Sequence, residues 1–103
     1  MYRQRIRQEI LYGQFREYME IAEEVIALRR KLGLAAPILW APTFGTANEI
    51  VWEIEYPDLA TFQRENEAFY SDVDVMKQWR QLWQHAVQGS IQDELLEEAP
   101  RIA

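Results

Sequence analysis

Two short segments place charged residues at every second position, a spacing that builds a charged surface on one face of a strand. Arg3, Arg5 and Arg7 follow this spacing near the start of the chain. Glu53 and Glu55 follow it further along. Side chains in a strand point to opposite faces in turn, so each series lies on one face. If the two strands pair, arginines and glutamates attract each other across the ladder by roughly 0.2–1 kcal/mol per pair.

The same residue types also suit a binding site for an organic ligand. We predict a candidate ligand-binding cavity lined by Arg5, Arg7, Trp40, Glu53 and Glu55. An arginine would hold an anionic oxygen of the ligand, and a glutamate would act as base if burial or a like charge raised its pKa. Two alternatives stay open: the charged face is simply solvated, or it packs against a second copy of the chain with ion pairs fixing the register.

Other residues offer little further chemistry. The only histidine, His85, is predicted on the polar, solvent-facing side of the last helix, with a haem ligand or catalytic base as the alternative. The absence of cysteine excludes thiolate metal sites, disulfides and a cysteine nucleophile. The acidic pairs at 23–24 and 97–98 are adjacent rather than spaced to converge, so we expect no metal and no cofactor. The four glycines are isolated, which argues against a phosphate-binding loop.

Length and charge narrow the class of protein. The 103 residues are 49% hydrophobic, enough for the core of one domain over 1–103. The formal net charge of −6 repels phosphate, so we expect neither nucleic acid nor an anionic membrane as a partner. No apolar run approaches the ~20 residues that span a bilayer, and we expect the cytoplasm as the location. A domain this small leaves much surface unburied, so association with a second copy would add stability.

The hydrophobic pattern predicts an α+β fold. Period-two alternation or short apolar runs predict strands at 1–10, 38–43, 49–56 and 91–96, and helical periodicity predicts a helix over 14–32. A second helix is predicted after Asp58, broken near Tyr70 and continuing to Gly89. The order β-α-β-β-α-β is that of a ferredoxin-like fold with a four-stranded antiparallel sheet and one open face.

Finer predictions concern the second helix and the short second strand. Ser71 with Asp74 resembles a capping box that restarts the helix. Leu59 is expected to face inward from the first part of that helix. Leu39 and Ala41 are expected to add apolar surface at the edge of the open sheet face.

Several segments resemble the dimeric α/β barrel superfamily, in particular the NIPSNAP-like domains. The quoted residues are Tyr2-Arg-Gln-Arg-Ile-Arg7, Gly13-Gln-Phe-Arg-Glu-Tyr18, Glu53-Ile-Glu-Tyr-Pro-Asp-Leu-Ala-Thr-Phe62 and Asp72-Val-Asp-Val-Met-Lys-Gln-Trp79. The resemblance covers nearly the whole chain and rests on helix caps and core aromatics, which specify a fold more than an activity.

The resemblance implies a homodimer whose two sheets face each other. NIPSNAP-like domains have no agreed biochemical activity, so it implies a binding or structural role. It also implies relatives among antibiotic-biosynthesis and quinol-type monooxygenases, haem-degrading oxygenases and muconolactone-type isomerases. The alternative is therefore a cofactor-independent monooxygenase or isomerase that uses a cavity on the open sheet face.

Overall fold

One antiparallel sheet organises the molecule. In the computed structural model, which describes residues 1–101, the strands are β1 (Tyr2–Glu9), β2 (Ile38–Trp40), β3 (Glu49–Tyr56) and β4 (Gln92–Glu97). Their order across the sheet is β2-β3-β1-β4. β1 pairs with both β3 and β4, and β2 pairs with β3, all antiparallel. This arrangement confirms the predicted ferredoxin-like fold.

Three helices cover one face of the sheet. They are α1 (Phe15–Lys31), α2 (Leu59–Ser71) and α3 (Val73–Trp83), so the predicted break in the second helix is confirmed. The core lies between α1, α3 and the two central strands, and its largest members include Tyr18, Ile50, Trp52, Val75, Trp79 and Leu82. None of the helices in residues 1–101 has the length and apolar character needed to cross a membrane.

The break between α2 and α3 is set by an aspartate. Asp72 has an extended backbone, and its Oδ1 accepts a hydrogen bond of 2.9 Å from the N–H of Val75. Ser71, predicted as the cap, instead donates its hydroxyl to the carbonyl oxygen of Glu67, one turn back in α2. The prediction of Ser71 as the cap was wrong by one position, because serine and aspartate both suit this place and sequence alone does not rank them here.

In the short strand β2, Leu39 faces the opposite side of the sheet from the one predicted for it. Leu39 lies opposite Trp52 and therefore faces the helices, whereas Ile38 and Trp40 lie on the open face. Ala41 lies beyond the end of β2. Pro42, one residue further along, has no N–H to donate to the ladder, which is consistent with so short a strand. The expectation for Leu39 was wrong by one register step, which reverses every side chain of a strand.

The last helix also ends earlier than its hydrophobic pattern predicts. α3 stops at Trp83 because the following residues pair with the end of β1: Ile10 bridges Ala86, and the N–H of Val87 donates to the carbonyl of Glu9 at 2.7 Å. Gly89, with φ of +80°, then serves the turn into β4. Leu59, predicted to face inward, is 41% exposed at the start of α2.

The cap assignment gives a direct stability test. Asp72→Ala removes the acceptor for the N–H of Val75 and should lower the free energy of unfolding by about 1 kcal/mol. Ser71→Ala removes only a surface hydroxyl and should change it by less than about 0.5 kcal/mol. Urea unfolding followed by circular dichroism measures both. A larger loss of unfolding free energy for Ser71→Ala than for Asp72→Ala would show that Ser71 is the helix cap, as predicted.

Candidate functional site

The centre of the open sheet face is an ion-pair cluster. Arg5 lies opposite Glu53 in the β1–β3 ladder, and its Nε donates to Oε2 of Glu53 at 3.0 Å. The other oxygen of Glu53 is 3.7 Å from Nε of Arg3, and Arg3 Nη2 donates to Glu55, its own cross-strand partner. Glu53 therefore bridges two arginines, and the predicted attraction between the two charged rows is confirmed for Arg3 and Arg5.

The neighbouring row is more apolar. Arg7 lies opposite Val51, not opposite a glutamate, and its Nη1 reaches diagonally to Glu49 at 3.2 Å. Trp40 lies on the other side of Val51 and is 52% exposed. The five predicted cavity residues thus share one face: Arg5, Arg7, Trp40, Glu53 and Glu55.

One end of the open face is shaped as a groove. A groove of about 460 Å³ is lined by Met1, Tyr2, Arg3, Arg5, Leu96, Glu97 and Glu98. The arginines of the face keep 33–39% of their side-chain surface exposed while each contacts a carboxylate. Exposed pairs of this kind contribute at most about 1 kcal/mol each. They fix where the guanidinium groups point and leave part of each one accessible to a partner.

A second, smaller space lies on the other side of the sheet. Its volume is about 20 Å³, which is room for roughly one water molecule. Its walls combine aromatic and polar side chains, among them Gln4, Arg29, Trp52, Tyr56, Asn66, Phe69, Tyr70 and Trp79. Trp79 is only 4% exposed, and its indole N–H finds no hydrogen-bond partner among the described residues. A buried donor without an acceptor costs free energy, so this N–H calls for a water or a ligand.

A chain of hydrogen bonds runs along one wall of this cavity. The Tyr56 hydroxyl donates to Oε1 of Gln4 at 3.1 Å, and Nε2 of Gln4 donates to both oxygens of Asp93 at 3.0 and 3.3 Å. Burial raises the pKa of Tyr56, and the nearby Arg29 guanidinium opposes that rise. Desolvation also raises the pKa of Asp93, against the hydrogen bond from Gln4. The chain therefore connects the cavity to a carboxyl group at the edge strand.

A buried arginine also lines the cavity. Arg29 donates from Nε and Nη2 to the carbonyl oxygen of Ala35, at 3.1 and 2.9 Å. Its Cζ lies 5.2 Å from the centre of the Phe69 ring, a cation–π contact. Glu65 of α2 accepts from the N–H of Ala35 at 2.6 Å and lies 4.0 Å from Arg29 Nη2.

The polar residues of this cavity are not among the predicted site residues. The hydrophobic stripe of α1 continues from Tyr18 through Ala22 and Val25 to position 29, so the pattern itself placed Arg29 in the core. Gln4 likewise occupies the helix-facing row of β1. Arg29 and Gln4 could have been predicted from one signal, a polar residue at a position that the hydrophobic pattern assigns to the core.

A second set of buried polar groups, away from this cavity, is paired and serves the core. The Trp52 indole N–H donates to the Tyr18 hydroxyl at 2.8 Å, and that hydroxyl donates to Oε1 of Gln8. Burial raises the pKa of Tyr18, which keeps its hydroxyl protonated as a donor. This network joins β1, β3 and α1 and leaves no free group for chemistry.

His85 differs from its prediction. It lies after the end of α3 rather than on it, and it is half-buried. Its Nδ1 is 2.7 Å from Oε1 of Gln14, and its carbonyl accepts from the N–H of Leu11. Since Gln14 offers an acceptor, Nδ1 carries the proton, and the histidine ties the start of α1 to the segment that follows α3.

The raised pKa of Asp93 predicts how stability changes with pH. Because its pKa is higher in the folded chain than in the unfolded one, its charge opposes folding once the pH exceeds the unfolded value. Asp93→Asn keeps an acceptor for Gln4 and removes that charge. Its advantage in free energy of unfolding over the parent should grow between about pH 3 and about pH 7. Chemical denaturation across this range measures it, with Glu98→Gln as the control, and a constant difference would contradict the assignment.

Comparison with known proteins identifies the fold. No protein-family model matches the chain, and no curated protein matches it. Among solved structures, a NIPSNAP family protein from Agrobacterium tumefaciens superposes with a TM-score of 0.79 at 15% identity, covering 95% of this chain and 92% of that one. An uncharacterised NIPSNAP-like domain protein from Burkholderia xenovorans gives 0.77 at 19% identity, covering 99% and 90%.

A third neighbour carries a different description. It is described as an antibiotic biosynthesis monooxygenase, with a TM-score of 0.75 at 15% identity and coverage of 97% of this chain and all 100% of the other. Likeness at these identities concerns the fold. The chain has the fold of the NIPSNAP family proteins and of an antibiotic biosynthesis monooxygenase, as its caps and core aromatics predicted.

Proposed function

We propose that this chain is a cytoplasmic homodimeric binding domain whose two open sheet faces pack together around a small organic ligand. The observation that carries the proposal is the open face itself. No helix of residues 1–101 covers it, and it exposes Ile38 by 58% and Trp40 by 52% beside fixed ion pairs. Exposed apolar side chains next to ordered charges are typical of a protein interface.

A second copy is the partner that fits this face best. In a twofold dimer the same patch meets itself, so a patch must complement itself in charge. Here Arg5 and Arg7 stand beside Glu53 and Glu49, and a rotated copy presents glutamates to arginines. Nucleic acid would meet these carboxylates on a chain of net charge −6.

The ligand part of the proposal rests on the chemistry between the two faces. Arg5, Arg7, Trp40, Glu53 and Glu55 would line the space between the sheets. Partly exposed guanidinium groups suit an oxygen of the ligand, and the Trp40 ring suits a flat apolar part. The uncharacterised NIPSNAP neighbours support a domain of this fold without an assigned reaction.

A cofactor-independent monooxygenase or isomerase is the second candidate, favoured by the neighbour described as an antibiotic biosynthesis monooxygenase. It requires a guanidinium free for the substrate and a glutamate free to act as base. Arg5 and Glu53 are bonded to each other at 3.0 Å, which favours binding over catalysis at this face.

The dimer is tested with one aromatic variant and one matched control. Sedimentation velocity at micromolar concentration should give twice the mass of the chain. Trp40→Asp places a charge in the interface and should give the monomer mass. Tyr12→Asp changes a fully exposed aromatic in the turn after β1 and should leave the dimer intact. A monomer mass for the unmodified protein would contradict the dimer.

The ligand is tested separately by native mass spectrometry of the protein purified from its own host. We expect an added non-protein mass on the dimer, and Arg7→Gln should reduce the occupied fraction because it removes the charge that holds the ligand's oxygen. Arg16→Gln, on the exposed face of α1, is the control. A bare dimer would contradict the ligand and leave the dimer standing.

A further inference from the structure

The corner where α1 ends holds the elements of a carboxylate-binding site on the helix side of the sheet. The side chain of Arg29 is only 6% exposed, and the N–H of Ala35 lies beside its guanidinium group. Both meet the same oxygen, Oε1 of Glu65, at 4.0 and 2.6 Å respectively. A guanidinium and a backbone N–H that converge on one carboxylate oxygen are the usual means of binding an anion.

We propose that this corner binds the carboxylate of a small aromatic acid, and that Glu65 occupies the corner in the ligand-free form. The ligand would exchange with Glu65, taking the N–H of Ala35 and the charge of Arg29. The exchange is between two carboxylates, so the charge balance at the buried arginine is unchanged. The site lies on the opposite side of the sheet from the proposed dimer face and does not depend on it.

The contact that Glu65 makes with the arginine is a weak one. Arg29 gives two of its donors, Nε and Nη2, to the carbonyl of Ala35, and the carboxylate stays 4.0 Å away. A buried pair gains enough to offset its desolvation only with close geometry. Glu65 therefore fills the corner without the two parallel hydrogen bonds that a free carboxylate could orient itself to form.

The helix that carries Glu65 is also the helix with the smallest share of the core. Phe69 is its only buried side chain, whereas α1 and α3 bury four and three. α2 is separated from α3 by the extended residue Asp72. Outward movement of α2 would expose Phe69 and the face of the Tyr56 ring on which Phe62 of α2 packs, with ring centres 5.2 Å apart.

The aromatic ring of the ligand would lie in the space beside the corner. Phe69 lies 5.2 Å from the Arg29 Cζ and 5.5 Å from the Trp79 ring, filling the place between them. The cavity of about 20 Å³ admits a ring only if Phe69 moves out with α2. The ring would then take the place of Phe69 against Arg29 and Trp79. The indole N–H of Trp79, a residue only 4% exposed, has no partner within residues 1–101 and offers a further donor to a ligand oxygen.

The test uses benzoate as the probe and nuclear magnetic resonance as the readout. The ¹⁵N-labelled full chain is titrated with benzoate and, separately, with neutral benzamide of the same shape. We expect benzoate to shift the Ala35 amide and the Trp79 indole N–H, which the loss of a signal in Trp79→Phe identifies. Benzamide should bind at least about fivefold more weakly, because it lacks the charge that Arg29 attracts.

Two variants on α2 separate competition by Glu65 from a general charge effect. Glu65→Gln removes the competing charge and should tighten benzoate binding about fivefold. Glu67→Gln removes one charge from the exposed side of the same helix and should leave the affinity unchanged. If Glu65→Gln does not fold, the benzoate and benzamide titrations of the unmodified chain decide alone. The proposal is overturned if benzoate leaves Ala35 and Trp79 unshifted, if benzamide binds equally well, or if the two variants behave alike.

Discussion

The pairing of β1 with β3 is the constraint on which the rest of the structure depends. It places Ile6 opposite Trp52 on the helix side and Arg5 opposite Glu53 on the open side. A shift of one residue would move the apolar row to solvent and the charged row into the core, so the register is strongly specified. The edge strands then add to this pair on either side, and the helices pack on the apolar face.

The same register creates two surfaces with different physical characters. The open face carries charges that are paired and still partly exposed, beside Ile38 and Trp40. The helix side carries an apolar core into which Arg29 and Gln4 are built. On the first surface the polar groups remain in contact with solvent or a partner, whereas on the second they must be satisfied internally. Within residues 1–101, the indole N–H of Trp79 and Oε1 of Gln78, both in α3, are places where that internal satisfaction is incomplete.

The parts of the fold that follow from local chemistry could be predicted from the sequence. The alternation in β1 and β3, the Asp58 cap and the break in the second helix were all expected, and Asp58 does accept from the N–H of Thr61 at 2.7 Å. The end of α3 could not be predicted, because pairing between Ala86 and Ile10 replaces the helix, and that contact joins residues far apart in the chain. The facing of Leu39 depended on a register that a three-residue strand hardly specifies.

The candidate site residues also divide into those that could be predicted from the sequence and those that could not. The period-two pattern predicted the arginines and glutamates of the open face, and the structure places them on one face together with Trp40. Arg7 pairs with Glu49 rather than with Glu53 or Glu55. The helix-side cavity is harder to predict, because Arg29 also belongs to the basic last turn of α1, which is typical of a helix C-terminus. Its position on the stripe of Val25 and Ala22 is visible in the sequence, but its partners Ala35 and Glu65 are brought to it only by folding.

The proposed dimer requires that the open sheet face be covered in solution. Hydroxyl-radical footprinting tests this coverage directly, because the oxidation rate of a side chain follows its contact with water. Ile38 and Trp40 should react far more slowly than their exposures of 58% and 52% imply, while Tyr12 and Phe44, at 101% and 90%, should react fully. Rates for Ile38 and Trp40 in proportion to those exposures would show that water covers the face, and would contradict the proposed interface.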